Sequence, residues 1–324
     1  MKRKEVFRML RPRFSRLGLI LLAYYGIMNA AVSLVLGLDI LGLILDGVFT
    51  NNTGSFSIEE HITELVSNGW GYILATSVGF LILLLWKKGD YCFRFLWKKE
   101  KRMDGKSFFV ILCIFLSGQA VFQLLGMGME WFFNQLGFSV MDSIEAASGL
   151  GDTLSMFLYG CIFAPVFEEI LFRGFLLRSL APYGKKFAIF ASSFFFGIFH
   201  ANIVQSPFAF AVGLVLGYVT VEYSMVWAVV LHMFNNLVMG DLLPRLVSLL
   251  AGPAQDIVMY VIIGSIAVVA LVICICKRRQ LRQYLYNARI HHWCIASFLS
   301  APGVLIITGV MAFNVLLTFL MQLI

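Results

Sequence analysis

Apolar residues run continuously along this chain, and polar residues fall mainly in short links between the runs. The runs do not alternate apolar and polar at every second position, so membrane β-strands are a poor description of them. Stretches of about 20 apolar residues are long enough for helices to cross a bilayer. The pattern predicts an all-α, polytopic transmembrane helix bundle with roughly 8–9 spans. The predicted helices cover about 17–37, 70–86, 107–126, 154–180, 186–201, 207–222, 225–243, 257–276 and 294–322. Asp39 and Asp46 lie in a continuation of the first run, either a tilted helix end or a segment on the outer face. No internal repeat is visible, so the inverted repeats of transporters are not expected.

The polar links give the bundle an orientation. Residues 1–16 are strongly basic, with Lys2, Arg3, Lys4, Arg8, Arg11, Arg13 and Arg16 against Glu5 alone. They resemble the opening of a signal peptide, but the following run exceeds the roughly 7–15 residues of a cleavable one. The segment 50–69 carries Glu59, Glu60 and Glu64 with no lysine or arginine, whereas 87–106 is rich in both. Aromatic residues within that basic link, Tyr91, Phe93, Phe95 and Trp97, predict a segment lying in the membrane interface. By the positive-inside rule the N-terminus and the basic links are cytoplasmic. The expected organisation is a basic cytoplasmic tail (1–16), N-terminal transmembrane helices (17–153), a chemistry-bearing core (154–243) and C-terminal helices (244–324), in the cell membrane.

Composition agrees with this. The chain has 324 residues, 60% hydrophobic and 13% charged, about half the charge of a soluble protein. Its net charge of +7 lies beside apolar runs, so the expected partner is the lipid bilayer and not nucleic acid. The six cysteines form no C-x-x-C pair and read neither as a disulfide frame nor as a zinc site.

Within this apolar background the stretch Phe167-Glu168-Glu169-Ile170-Leu171-Phe172-Arg173 is conspicuous, because ionisable groups inside a membrane helix are costly and tend to be functional. Glu169 and Arg173 are four apart, the spacing and order that favour an ion pair. Glu168 points about 100° away, on the stripe of Gly160 and Ala164. Pro165 leaves the carbonyl of Cys161 without its helical donor, which predicts a kinked, locally open helix. A desolvated Glu168 suits a general base, although both glutamates would equally line a wet crevice or pair with another helix. His200 follows Phe196 by four residues, and His232 and Asn236 are also four apart. Two donors on one stripe suit an oxyanion, and they suit helix–helix hydrogen bonds as well. Cys161 falls on nearly the same face as Glu168, but a cysteine in apolar surroundings is more often inert. At 1.5 Å per residue Glu168 lies roughly 18 Å from Leu180 and His200 roughly 22 Å from Lys185, while His232 lies only about 12 Å from Ser224. His232 is thus shallow by a turn, unless the link near Glu222 is recessed. A carboxylate, two imidazoles and a carboxamide on neighbouring helices are what water-mediated amide hydrolysis needs.

Glu168-Glu169-x-x-x-Arg173, Phe196-x-x-x-His200 and His232-x-x-x-Asn236, in this order on successive helices, resemble the motifs of the CPBP family. These are the CAAX prenyl endopeptidases and bacteriocin-processing intramembrane proteases, also called the Abi family. The resemblance covers about 154–243. It implies an intramembrane endopeptidase acting on a membrane-associated peptide or protein near the cytoplasmic half of the bilayer. It implies that Glu168 and His200 activate water, that His232 and Asn236 form the oxyanion site, and that Glu169 and Arg173 complete the first motif. The family has been described both as metalloproteases and as glutamate proteases. This chain has no H-E-x-x-H, and the expectation here is chemistry without a metal. A Glu/His/His site also has the donor types for zinc.

Two other readings compete. One is a non-catalytic immunity or scaffold protein of the same fold, in which the three motifs would be expected to decay. The other is a transporter or channel with Glu168 and Glu222 on an ion path.

Overall fold

The computed structural model describes residues 3–50, 68–87, 98–148, 153–287 and 292–321. The expected interfacial segment around Tyr91–Trp97 and the acidic stretch with Glu59, Glu60 and Glu64 lie outside the described residues. Twelve helices and no strand are found among those described. They are α1 (Arg3–Thr50), α2 (Gly69–Lys87), α3 (Gly105–Asn134), α4 (Met141–Ser148), α5 (Leu154–Tyr183), α6 (Lys185–Phe199), α7 (Gln205–Glu222), α8 (Met225–Val247), α9 (Ala254–Cys276), α10 (Arg278–Asn287), α11 (His292–Leu299) and α12 (Pro302–Met321).

Six of them, α1, α3, α5, α8, α9 and α12, are long and apolar enough to cross a membrane, and α2 contains a shorter apolar helix, Gly69–Ile82. The expectation of 8–9 spans is therefore not met by length and composition. The difference lies largely in α6 and α7, with 15 and 18 residues. At 1.5 Å per residue the 15 residues of α6 span only about 22 Å. α6 buries nine of its residues, among them Phe187, Phe195 and Phe196, inside the bundle. A helix shielded by its neighbours needs neither the length nor the uniform apolarity of one that faces lipid.

Two further boundaries differ from the sequence pattern. Residues 3–16, expected as a tail, are the first turns of α1. Their apolar positions Val6, Leu10 and Phe14 are buried, with Phe14 against Tyr183, Phe187 and Phe298. The expected last helix is broken, since α11 ends at Leu299 and α12 begins at Pro302. Proline has no N–H to continue a helix but fits its first turn.

α12 crosses α1 where two glycines meet. A Cβ on Gly18 would lie 2.5 Å from the Gly303 backbone, and one on Gly303 would strike the Ser15 carbonyl. The Gly303 N–H donates to Ser15 Oγ at 2.9 Å. Small residues here let two backbones touch, as in other membrane helix pairs. At the start of α3, Asp104 caps the helix by accepting from the Ser107 N–H at 2.8 Å. That backbone hydrogen bond holds the Asp104 carboxyl below its ordinary range.

The surface is the reverse of a soluble protein's. Leu85, Leu124, Leu154 and Leu249 are each more than two-thirds exposed, whereas Glu169 and Arg173 are fully buried. Apolar side chains outside and charge inside fit a protein solvated by lipid.

Candidate active site

The chemistry-bearing helix α5 is not regular. α-Helical turns at Leu154–Leu158 and Ala164–Glu169 alternate with π-helical turns at Tyr159–Phe163 and Ile170–Leu177. The first π-turn lies just before Pro165, where a donor is missing. The expected kink is thus expressed as a local widening of the helix. π-Turns are rare and concentrate at functional sites. The second also bears on depth. A wider turn advances less per residue, so Glu168 lies nearer the Leu180 end than straight α-helical counting gives.

That shortening helps α8 to reach the acidic pair. His232 Nδ1 lies 3.0 Å from Glu169 Oε1, and His232 Nε2 lies 3.8 Å from Glu168 Oε2. The link before α8 is also covered, since the Glu100 N–H donates to the Tyr223 carbonyl at 2.8 Å. His232 reaches both glutamates despite its apparent shallowness.

Glu169 is the charged centre of the bundle. Its Oε1 accepts from Arg173 Nη1 at 2.9 Å, and both side chains are fully buried. Arg173 Nη2 donates to the Gly213 carbonyl of α7 at 3.3 Å. The guanidinium lies 4.2 Å from the centre of the Phe196 ring, a cation–π contact. The same ring meets His200 and His232 edge-on, at 4.9 and 5.7 Å between centroids. Phe196 thus packs against both imidazoles and seats the arginine, a role that the four-residue spacing to His200 did not reveal. Glu169 Oε2 has no hydrogen-bond partner among the described residues.

The tautomers follow from the partners. His200 Nδ1 lies 2.8 Å from the Phe196 carbonyl. A carbonyl only accepts, so Nδ1 carries the proton and neutral His200 presents its Nε2 lone pair. His232 Nδ1 donates in the same way to the arginine-paired Glu169 carboxylate, which leaves the His232 Nε2 lone pair toward Glu168. Just past His200, Ala201 adopts a left-handed φ of +46° and ends α6. Asn202 then caps the turn, accepting from the N–H groups of Val204 and Gln205 at 2.9 Å each.

Glu168 is the more accessible carboxylate, its side chain about one-third exposed. It lines a cavity of about 250 Å³ with His200, Tyr159, and Tyr24 and Tyr25 of α1. His232 and Asn236 do not line this cavity. Asn236 Nδ2 donates to the Gly160 carbonyl at 2.9 Å, in the first π-turn of α5. Asn236 Oδ1 accepts from Asn235 Nδ2 at 3.2 Å, and Asn235 Oδ1 accepts from Gln119 Nε2 of α3 at 2.9 Å. Three amides thus run head to tail from α3 into α5. Gln119 and Asn235 had no assigned role in the sequence, where a lone amide on a helix carries no spacing signal.

Cys161 is buried and does not line the cavity. Glu222 lies away from it, paired with Lys101 at 3.1 Å and Lys185 at 3.7 Å. Among the described residues no three His, Cys, Asp or Glu side chains converge as a metal site. His232 Nδ1 is committed to Glu169, and Glu168 and His232 Nε2 stand 3.8 Å apart. His232 held at Nδ1 by a carboxylate, with Nε2 beside Glu168, has donor types that zinc takes, but among the described residues no third donor converges with them.

Fold and site together define a polytopic helical membrane protein with a carboxylate–imidazole centre beside an internal cavity. A family model described as Type II CAAX prenyl endopeptidase Rce1-like matches residues 150–238, which contain all three motifs. The match supports a CPBP family intramembrane protease, and this family implies a hydrolase of the CAAX-protease type. It covers roughly a quarter of the chain, from the last residues before α5 to the middle of α8. No curated protein and no solved structure matches the chain.

Proposed function

We infer that the protein is an intramembrane endopeptidase that cleaves a peptide bond of a membrane-associated peptide or protein with water activated by Glu168 and His200. The observation that carries this is the shared cavity, into which a one-third-exposed carboxylate and an imidazole with a free Nε2 both open. A water between them gives a proton to Glu168 while its oxygen bonds to the substrate carbonyl carbon. The carbonyl π electrons move onto oxygen and make a tetrahedral oxyanion. As the oxyanion collapses, the C–N bond breaks and Glu168 returns its proton to the leaving nitrogen.

The remaining motif residues hold this pair in place. Arg173 compensates Glu169, and Glu169 orients His232. His232 Nε2 faces the Glu168 carboxylate at 3.8 Å and backs it from the side of α8. Asn236 ties α8 to the widened turn of α5 and, with His232, was expected at the oxyanion. At least one donor of each is engaged inside the protein, so a further source of donors is considered below. The cavity volume suits a short stretch of substrate and not an intact helix. Substrates are therefore peptides or unwound ends of membrane proteins. The enzyme sits in the cell membrane with its basic end in the cytoplasm.

The test is quantitative proteomics of membrane and secreted peptides, wild type against Glu168→Gln. The reading requires specific cleavage products that disappear in the variant at equal protein level. If the variant produces the same peptides, or protects and signals as the wild type does, the immunity or scaffold reading stands instead.

A further inference from the structure

We propose that the hydroxyls of Tyr24 and Tyr159 are catalytic donors that stabilise the oxyanion formed in the cavity; this rests on the hydrolase reading above. The argument starts from the donors that face the cavity. The polar side chains among its lining residues, besides Glu168 and His200, are Tyr24, Tyr25, Asn29, Thr76 and Tyr159. Asn29 Nδ2 donates to the Tyr25 carbonyl at 2.8 Å. Thr76 Oγ1 lies 2.8 Å from the Tyr72 carbonyl, to which it donates. Tyr25 Oη accepts from Asn314 Nδ2 at 2.8 Å, so its oxygen is tied to α12, although that bond leaves its own proton unused. Neutral His200 offers a lone pair there and no proton. Tyr24 and Tyr159 are the two tyrosines of the cavity whose hydroxyls are not tied to another helix among the described residues. Neither hydroxyl has a hydrogen-bond partner among the described residues, and both interact electrostatically with Glu168.

Both rings are held in place. Tyr24 is buried on α1, and its ring edge lies where a side chain of α2 would otherwise be: a Cβ on Gly79 would come within 2.8 Å of Tyr24 Cε2 and 3.3 Å of its Oη. Tyr159 stands in the first π-turn of α5, its ring 5.3 Å from that of Tyr72. That turn is the one whose Gly160 carbonyl is tied to Asn236. Donors held in place before charge develops are effective at stabilising an oxyanion, because they need no reorganisation at the moment of reaction. In the tetrahedral step the phenols donate hydrogen bonds to the new oxyanion and keep their protons. The electron and proton balance of hydrolysis is unchanged.

The inference also assigns work to α1, which lies wholly outside the family match. One donor comes from the matched core and the other from an N-terminal helix that the three motifs do not touch.

The experiment uses the full chain in detergent or nanodiscs. The probes are internally quenched peptides, one carrying an S-farnesyl cysteine and several unmodified. Tyr24→Phe and Tyr159→Phe are each expected to lower kcat by ten- to a thousand-fold with KM within about twofold, as for other oxyanion donors. The acid limb of the pH–rate profile should stay where it is in the wild type. Fluorotyrosine at position 24 guards against a folding artefact, because it keeps the shape and alters only donor strength; kcat should follow that strength. Full kcat in both Phe variants and their double variant, with Glu168→Gln inactive, would overturn this inference and leave the hydrolase reading intact. A shifted acid limb would place the hydroxyls on Glu168 instead of on the substrate and also overturn it. Wild-type activity in Glu168→Gln, or no cleavage of any probe by the wild type, would overturn both.

Discussion

Glu169 and Arg173 occupy the most demanding environment in the molecule, since both are fully buried and ion-paired. Such a pair is tolerated because each charge offsets the other's desolvation, and removing one member leaves the other uncompensated. Arg173→Leu should therefore destabilise the protein by about 3–5 kcal/mol, read by thermal unfolding in detergent. Adding Glu169→Gln should recover part of that loss, because the stranded group is then neutral. Glu168→Gln should behave differently: with about one-third of its side chain exposed, it should leave the unfolding temperature close to wild type while abolishing cleavage. The spacing of four residues was enough to read the Glu169–Arg173 pair, since both partners belong to one helix. The amide series from Gln119 through Asn235 to Asn236 joins helices far apart in the chain, and no local spacing encodes it.

At the scale of elements, the close crossing of α1 and α12 is the most sensitive contact away from the site. Gly303→Ala places a Cβ against the Ser15 carbonyl. Backbone on the receiving side cannot rotate aside, so the two helices must separate, at a cost of roughly 1–3 kcal/mol. Gly309→Ala on the same helix is the control, because nothing lies within 4 Å of its Cβ position; no loss is expected there. Melting temperatures of the two variants in one detergent make the comparison. The positions of most helices were legible from apolar runs, as with α2, α5 and α9. Short α6 and the break before Pro302 show what hydropathy misses. The first is apolar because it is buried among other helices, and the second depends on backbone chemistry that a hydropathy average does not see.

At the scale of the whole molecule, several basic side chains join remote elements. Arg13 Nη1 donates to Tyr183 Oη at 3.2 Å, Lys101 pairs with Glu222 at 3.1 Å, and Lys186 Nζ donates to the Leu285 carbonyl at 2.7 Å. These contacts tie together the start of α1, the link before α3, the junction of α5 and α6, the end of α7 and helix α10. The positive-inside rule leads us to propose that this basic junction is cytoplasmic. An epitope tag at residue 1 should accordingly be digested by added protease in inside-out vesicles and protected in right-side-out ones. The reverse pattern would invert the orientation.

The sequence by itself determined that this is a helical membrane protein and which residues carry its three motifs. Both are properties of single helices, set by continuous apolarity and by residues one turn apart. Tertiary structure decided how those helices share a centre. It turned His232 onto both glutamates, committed Asn236 to Gly160, and brought Tyr24 from α1 into the cavity of Glu168 and His200. These relations depend on widened π-turns and on where remote helices cross, and neither is written in the local pattern of any one helix.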